Sequence, residues 1–125
     1  MPNRTRPAEA SSRRRILEIG TGDGDRTLAL AATLPPDGLL ITMEADAAQA
    51  AAARQRFSDA GVADRVSVFV GEPARFLHKI RGPFDLIVQN DAGDRNGLHQ
   101  RLLALLALDG VLIRGDKKYI VFNGV

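Results

Sequence analysis

Short continuous apolar runs alternate along this chain with longer stretches whose apolar positions recur at helical spacing, and breakers separate the two. The runs at 15–19, 39–43, 66–70, 84–88 and 111–114 read as strands, and 119–123 as a further β-prone run. Between them, 26–32 and the alanine-rich 46–60 read as helices, the second stopped by Gly61. A short third helix, packed by Phe76 and Leu77, should end near Arg81-Gly82-Pro83, and a fourth should span 96–106 with Leu98, Leu102, Leu103, Leu105 and Leu106 on its apolar face. Asp109-Gly110 reads as a tight turn into the fifth strand.

This alternation predicts an α/β fold: a doubly wound, mostly parallel sheet with helices on both faces and its ligand crevice at the carboxyl ends of the strands. The polar turn 115–118 is too short for a parallel crossover, so the last strand should return antiparallel beside the fifth. Five parallel strands and one C-terminal antiparallel strand result. The length of 125 residues fits one domain, read as 14–125 behind a flexible basic leader at 1–13 that carries Arg4, Arg6 and Arg13 and runs into Arg14 and Arg15.

Composition narrows the classes. The chain has no cysteine, which excludes disulfides, thiolate metal sites and a cysteine nucleophile, and which agrees with a cytoplasmic setting. Aromatic residues make up 5% of it, too few for a base-stacking surface, so nucleic acid is not the expected partner; the net charge of +2 is mild, and the early arginines could touch phosphate or be a solvated leader. Neither a signal-peptide core nor an apolar run long enough to span a bilayer is present, so no membrane role is expected.

The chemistry centres on Leu17-Glu18-Ile19-Gly20-Thr21-Gly22-Asp23-Gly24, where an apolar run breaks into three alternate glycines. Glycine lets backbone N–H groups approach a ligand closely at a strand-to-helix turn. The dinucleotide fingerprint would need glycine where Asp25 stands, and no Gly-Lys-Ser/Thr follows for a P-loop. Glu44 ends the second strand, twenty positions after Gly24, where a carboxylate can accept hydrogen bonds from both hydroxyls of a ribose; it can equally be a surface residue opening the next helix.

The motif Glu18-x-Gly20-x-Gly22-x-Gly24 resembles the first motif of class I S-adenosylmethionine-dependent methyltransferases. The wording of Phe84-Asp85-Leu86-Ile87 and Asp109-Gly110-Val111-Leu112-Ile113 is similar to that of the catechol and caffeoyl-CoA type O-methyltransferases, over about residues 14–116. The resemblance implies a Rossmann-like fold and S-adenosylmethionine as cofactor. It implies cofactor contacts from Glu18, Gly20, Thr21, Gly22, Gly24, Glu44 and Ala45, from Gly71, Glu72 and Ala74 beside the adenine, and from Asn90. Without a ligand, Gly71-Glu72-Pro73 would simply open a helix, with Glu72 near its positive end.

The implied reaction is methyl transfer to a hydroxyl of a small molecule, an in-line displacement in which orientation supplies much of the acceleration. Asp91 and Asp116 are the candidate bases, with Lys117 beside them. The metal-dependent branch of the family has an acidic residue after the fourth strand, here Asp91 or Asp94, and an Asp-Asn pair after the fifth. Here the pair is Asp116-Lys117, and an ammonium repels Mg²⁺, so no metal is expected. His78 and His99 fall in helices and read as surface or packing residues. The family's seventh strand and preceding cover helices are missing or reduced, which leaves an open outer edge that invites a homodimer. Two alternatives stand beside the enzyme: a cofactor-binding domain of weak or no activity acting in an assembly, and an RNA methyltransferase using the arginine leader. The second lacks an Asn/Asp-Pro-Pro-Tyr/Phe motif.

Overall fold

The computed structural model describes residues 13–90 and 97–120. Six strands form one sheet in the order β3-β2-β1-β4-β5-β6. They are β1 (Arg15–Ile19), β2 (Leu39–Glu44), β3 (Val66–Val70), β4 (Phe84–Gln89), β5 (Leu106–Arg114) and β6 (Lys117–Ile120). All pairings are parallel except β5 with β6. The helices are α1 (Asp25–Ala31), α2 (Ala47–Asp59) and α3 (Leu98–Ala104).

The central strands read as unbroken apolar runs because both of their faces are covered. Leu17 and Ile19 of β1 join Ile41, Met43 and Ile87 on one face, under Leu77 and α3 residue Leu102. Ile16 joins Leu40, Leu86 and Val88 on the other, under Ala31 of α1 and Ala53 and Phe57 of α2. The buried face of α2 is Ala50, Ala53 and Phe57, a stripe at helical spacing that packs on the sheet with Phe57 as its one large side chain. Its first turn is capped by Asp46, whose side chain accepts from the backbone N–H groups of Ala48 and Gln49.

The topology places the site. From β1 the chain winds outward through β2 to β3, then returns to lay β4 on the opposite side of β1. The carboxyl ends of β1 and β4 therefore diverge into a crevice. At the opposite end, Asp85 accepts from the backbone N–H groups of Arg14 and Arg15, and the Arg15 guanidinium donates to the carbonyls of Pro83 and Arg81 over the Phe84 ring. Arg14 pairs with Asp37. Arg15 is thus tied into the fold by its side chain, while the Arg14 side chain stays exposed in a surface ion pair; residues 1–12 lie outside the described region.

Several expected boundaries move. The short third helix is only a 3-10 turn, Pro73–Arg75, and the chain continues in turns before β4 starts at Phe84. The last helix closes at Ala104, and Leu106 already belongs to β5, since the Phe84 N–H must reach the Leu105 carbonyl at 2.7 Å to start β4. Asp109-Gly110 is not a turn into the strand but an irregularity within it, with Asp109 at φ 65° and a register shift opposite Phe84–Leu86. The hairpin loop is Gly115-Asp116 alone, with Gly115 at φ 61°, so β6 begins at Lys117. Its antiparallel pairing with β5 is as expected through Ile120, while 121–123 lie outside the described residues. Among the described residues no helix is long and apolar enough to cross a membrane.

Gly24, at φ 90°, meets α1 on one side and the Phe57 ring on the other, where an added Cβ would lie 3.1 Å from a ring carbon. Gly61 has a comparable φ of 76° but open space around it. Gly24→Ala should therefore destabilise by about 3 kcal/mol, the left-handed backbone cost plus overpacking, and Gly61→Ala by about 1 kcal/mol. Urea unfolding of the two variants checks this; equal losses would mean that Phe57 does not restrict the turn.

Candidate functional site

The glycine turn leaves β1 by folding over the end of β2: the N–H groups of Gly20 and Thr21 both donate to the Met43 carbonyl, at 2.8 and 3.2 Å. Gly20, Gly22 and Gly24 all have positive φ, at 95°, 58° and 90°. The Gly22 N–H donates to Glu44 Oε1 at 2.9 Å, and the other carboxylate oxygen accepts from the Asp46 N–H at 3.0 Å. Glu44 thereby holds the turn against the end of β2, and each of its oxygens keeps a lone pair.

Beneath the turn lies Glu18, fully buried in β1. Its Oε1 accepts from the hydroxyls of Thr27 in α1 and Thr42 in β2, the latter at 2.8 Å. Its Oε2 accepts from the Asn90 amide at 3.0 Å. Thr42 spends its only hydroxyl hydrogen on Glu18, so the 2.6 Å contact between Thr21 and Thr42 has Thr21 as donor. The second Asn90 amide hydrogen goes to the Gly20 carbonyl at 2.8 Å, and its backbone N–H to the Ile19 carbonyl. Burial raises the Glu18 pKa; the hydrogen bonds from Thr27, Thr42 and Asn90 and the charge of Arg26 oppose the rise without cancelling it.

Two hollows flank Gly20 at the rim. One, of about 210 Å³, lies at the ends of β1, β2 and β3, with Met43, Glu44, Ala45, Gly71, Glu72 and Pro73 in its wall. The other, a wider groove of about 660 Å³, runs over the turn between Asn90 and the first residues of α1. Thr21, Gly22, Asp23, Asp25 and Arg26 are among the residues that line it. A Cβ on Gly22 would meet nothing within 4 Å, so the backbone there faces open groove. Gly71, at φ 144°, could not carry a Cβ without meeting the Phe76 ring at 2.9 Å.

The structure thus gathers Gly20, Thr21, Gly22, Glu44, Ala45, Gly71, Glu72 and Asn90 around the crevice. Glu18 and Gly24 lie behind it as supports, and Ala74 is exposed on the 3-10 turn while Pro73 lines the hollow in its stead. Asp116 sits exposed in the hairpin loop on the same rim; Asp91 and Asp94 lie outside the described residues. Of the histidines, His78 is exposed, and His99 is half-buried against the Tyr119 ring with Arg114 at 3.0 Å from its Nδ1. Among the described residues no group of three or more acidic or histidine side chains could hold a metal ion. Sequence reasoning passed over Thr27 and Thr42. For Thr42 the signal was a hydroxyl inside an otherwise apolar strand, Leu39-Leu40-Ile41-Thr42-Met43; Thr27, in α1, carried none.

A doubly wound sheet with a glycine turn at its switch point and a carboxylate ending the neighbouring strand defines a Rossmann-like class of domain. Within it, the chain belongs to the O-methyltransferase family, whose profile matches residues 8–121. It is 38% identical over 110 residues to the catechol O-methyltransferase of Mycobacterium tuberculosis, covering 87% of this chain and 50% of that protein. To the mouse catechol O-methyltransferase it is 31% identical over 71 residues, covering 57% and 27%. The solved O-methyltransferase TomG of Streptomyces achromogenes, in complex with SAM, superposes with a TM-score of 0.77 at 34% identity, covering 85% of this chain and 50% of that one. An O-methyltransferase from Bacillus cereus in complex with SAH gives the same TM-score at 31% identity, with the same coverage. The chain spans about half the length, or less, of the curated relatives it matches.

The Glu18 shift sets a pH dependence. Its pKa lies higher in the folded chain than the ordinary 4.5, so between those values the folded state binds more protons and stability falls as pH rises. Glu18→Gln cannot titrate. Its stability relative to the parent should therefore improve as pH rises through that window, measured by urea midpoints from about pH 4 to about pH 8. A difference that stays flat, or worsens with pH, would contradict the buried carboxylate as the cause.

Proposed function

We propose that this chain binds S-adenosylmethionine at the crevice and serves transfer of its methyl group to a hydroxyl of a small molecule. The observation that carries the reading is Glu44, a carboxylate already tied to the glycine turn and facing a hollow of nucleoside proportions between β2 and β3. The remaining lone pair on each Glu44 oxygen suits the two ribose hydroxyls. The hollow bounded by Gly71, Glu72 and Pro73 suits the adenine, and the groove over Thr21 and Gly22 suits the amino-acid end. When bound, the sulfonium supplies an electrophilic methyl with a built-in leaving group.

The chain's own residues then bind and orient. Asn90 fixes the Gly20 carbonyl and so the path of the turn. Asp91, next after Asn90, and Asp116 in the hairpin loop are the groups proposed to take the acceptor's hydroxyl proton, without a metal. Members of the family named for catechol support a phenolic acceptor, and the lack of cysteine suits a cytoplasmic setting. The reading of a cofactor-binding domain that acts within an assembly draws on the half-length match to relatives. It differs from the first only in turnover.

Calorimetric titration with S-adenosylmethionine should show saturable binding, weakened about tenfold or more in Glu44→Ala through loss of charge-assisted hydrogen bonds. No binding at millimolar ligand overturns the proposal. Binding without methyl transfer to a panel of catechols and other phenols favours the assembly reading.

We also propose that β6, an outer strand with Ile120 exposed, pairs with a second copy to make a homodimer. Light scattering at micromolar concentration should return twice the chain mass, and a monomer mass contradicts it.

A further inference from the structure

At the β5–β6 end of the row of strands two cations meet. Arg114 closes β5 beside Gln89 of β4, and the next residue of β4's course, Asn90, lines the wide groove. Arg114 stands two positions after Leu112, on the sheet face that α3 covers, and its guanidinium lies 3.0 Å from His99 Nδ1 in α3. A guanidinium only donates, so Nδ1 is the acceptor, and the contact takes up one terminal nitrogen of the half-buried Arg114. Across the hairpin, the residue directly opposite Arg114 is Lys117. Like charges in that relation repel and cost stability. Among the described residues neither cation has a carboxylate partner, and Asp116, in the loop between them, pairs with neither.

A repulsive pair at the rim, with no acid set against it, calls for an anion from outside the chain. The edge of Arg114 formed by Nε and the other terminal nitrogen is a parallel pair of donors, the fork that a carboxylate fits bidentately. We infer that Arg114 and Lys117 select methyl acceptors that carry a carboxylate besides the hydroxyl, with the Arg114 fork binding the carboxylate and Lys117 adding charge. The inference rests on the methyl-transfer reading above and narrows its substrate class from phenols at large to aromatic hydroxy acids.

The test is calorimetry on the full chain saturated with S-adenosylhomocysteine, using 3,4-dihydroxybenzoate and its methyl ester as probes. The two share the catechol ring and differ in charge. The acid should bind about tenfold tighter at low salt, and added salt should reduce that preference. Arg114→Gln should weaken the acid about tenfold and Lys117→Gln about threefold, with the ester unchanged in both. Lys117→Gln, on an exposed side chain, should also raise the urea midpoint of the ligand-free chain, because it relieves the pair opposite Arg114. A lysine that merely supports the hairpin would instead lower the midpoint and weaken both probes alike when replaced.

Equal affinity for acid and ester, or a preference for the acid that survives in both variants, overturns the inference and leaves the cofactor reading standing. Binding of S-adenosylhomocysteine but of neither phenol does the same. A fall in the Lys117→Gln midpoint overturns the role given to the repulsive pair. No binding of S-adenosylhomocysteine overturns the cofactor reading and the inference with it.

Discussion

One buried carboxylate ties the switch point of the sheet together. Glu18 takes its hydrogen bonds from three different elements: Thr27 in α1, Thr42 in β2 and Asn90 at the end of β4. Removing a carboxylate from water costs several kcal/mol, and satisfied hydrogen bonds are what make such burial tolerable. Because those donors sit on the strands either side of β1 and on the helix after it, Glu18 is satisfied only when all three are correctly placed. Its penalty therefore works against misregistered packings as well as against the native one. The raised pKa is the residue of that compromise.

The same network determines what the rim can present. Asn90 shares one amide between Glu18 and the Gly20 carbonyl, and Thr21 donates through Thr42 toward Glu18. The hydroxyl of Thr21 is thereby turned inward, and Thr21 is almost wholly buried. What faces outward over the turn is backbone, chiefly at Gly22, and the charges of Asp23 and Arg26. A site built this way is rigid in its floor and polar in its wall.

Most of the fold was legible in the sequence because its strands are buried on both faces and read as unbroken apolar runs between strong breakers. The antiparallel return of β6 was legible for a geometric reason, the shortness of the connection after Arg114. Errors gathered where local signals compete with tertiary pairing. Leu105 and Leu106 continue a helical stripe, yet Phe84 requires one as a hydrogen-bond acceptor and the other as a strand partner. Asp109-Gly110 is a turn dipeptide by composition, but here it absorbs extra residues within β5. In the site, Glu44 and the glycines were legible from spacing. Thr27, Thr42 and the Arg56–Asp25 pair were not, since they depend on which side chains meet across elements.

The two sides of the rim differ in how firmly they are built. On the β1–β2–β3 side, Gly20, Thr21, Gly22, Glu44 and Gly71 are each held by a hydrogen bond to another element or its end. On the β4–β5 side, the described candidate base is Asp116, exposed in a two-residue hairpin loop, with the basic Lys117 and Lys118 after it. Precise placement of a reacting oxygen demands restraint of the groups around it, because a displacement of about 1 Å can cost on the order of a hundredfold in rate. On the proposed reading, the contacts that would hold the cofactor lie on the better-restrained side of the rim, and the proposed base Asp116 lies on the less restrained one. On that reading, binding and turnover draw on opposite sides of the same row of strands, so a change on one side can alter the first without the second.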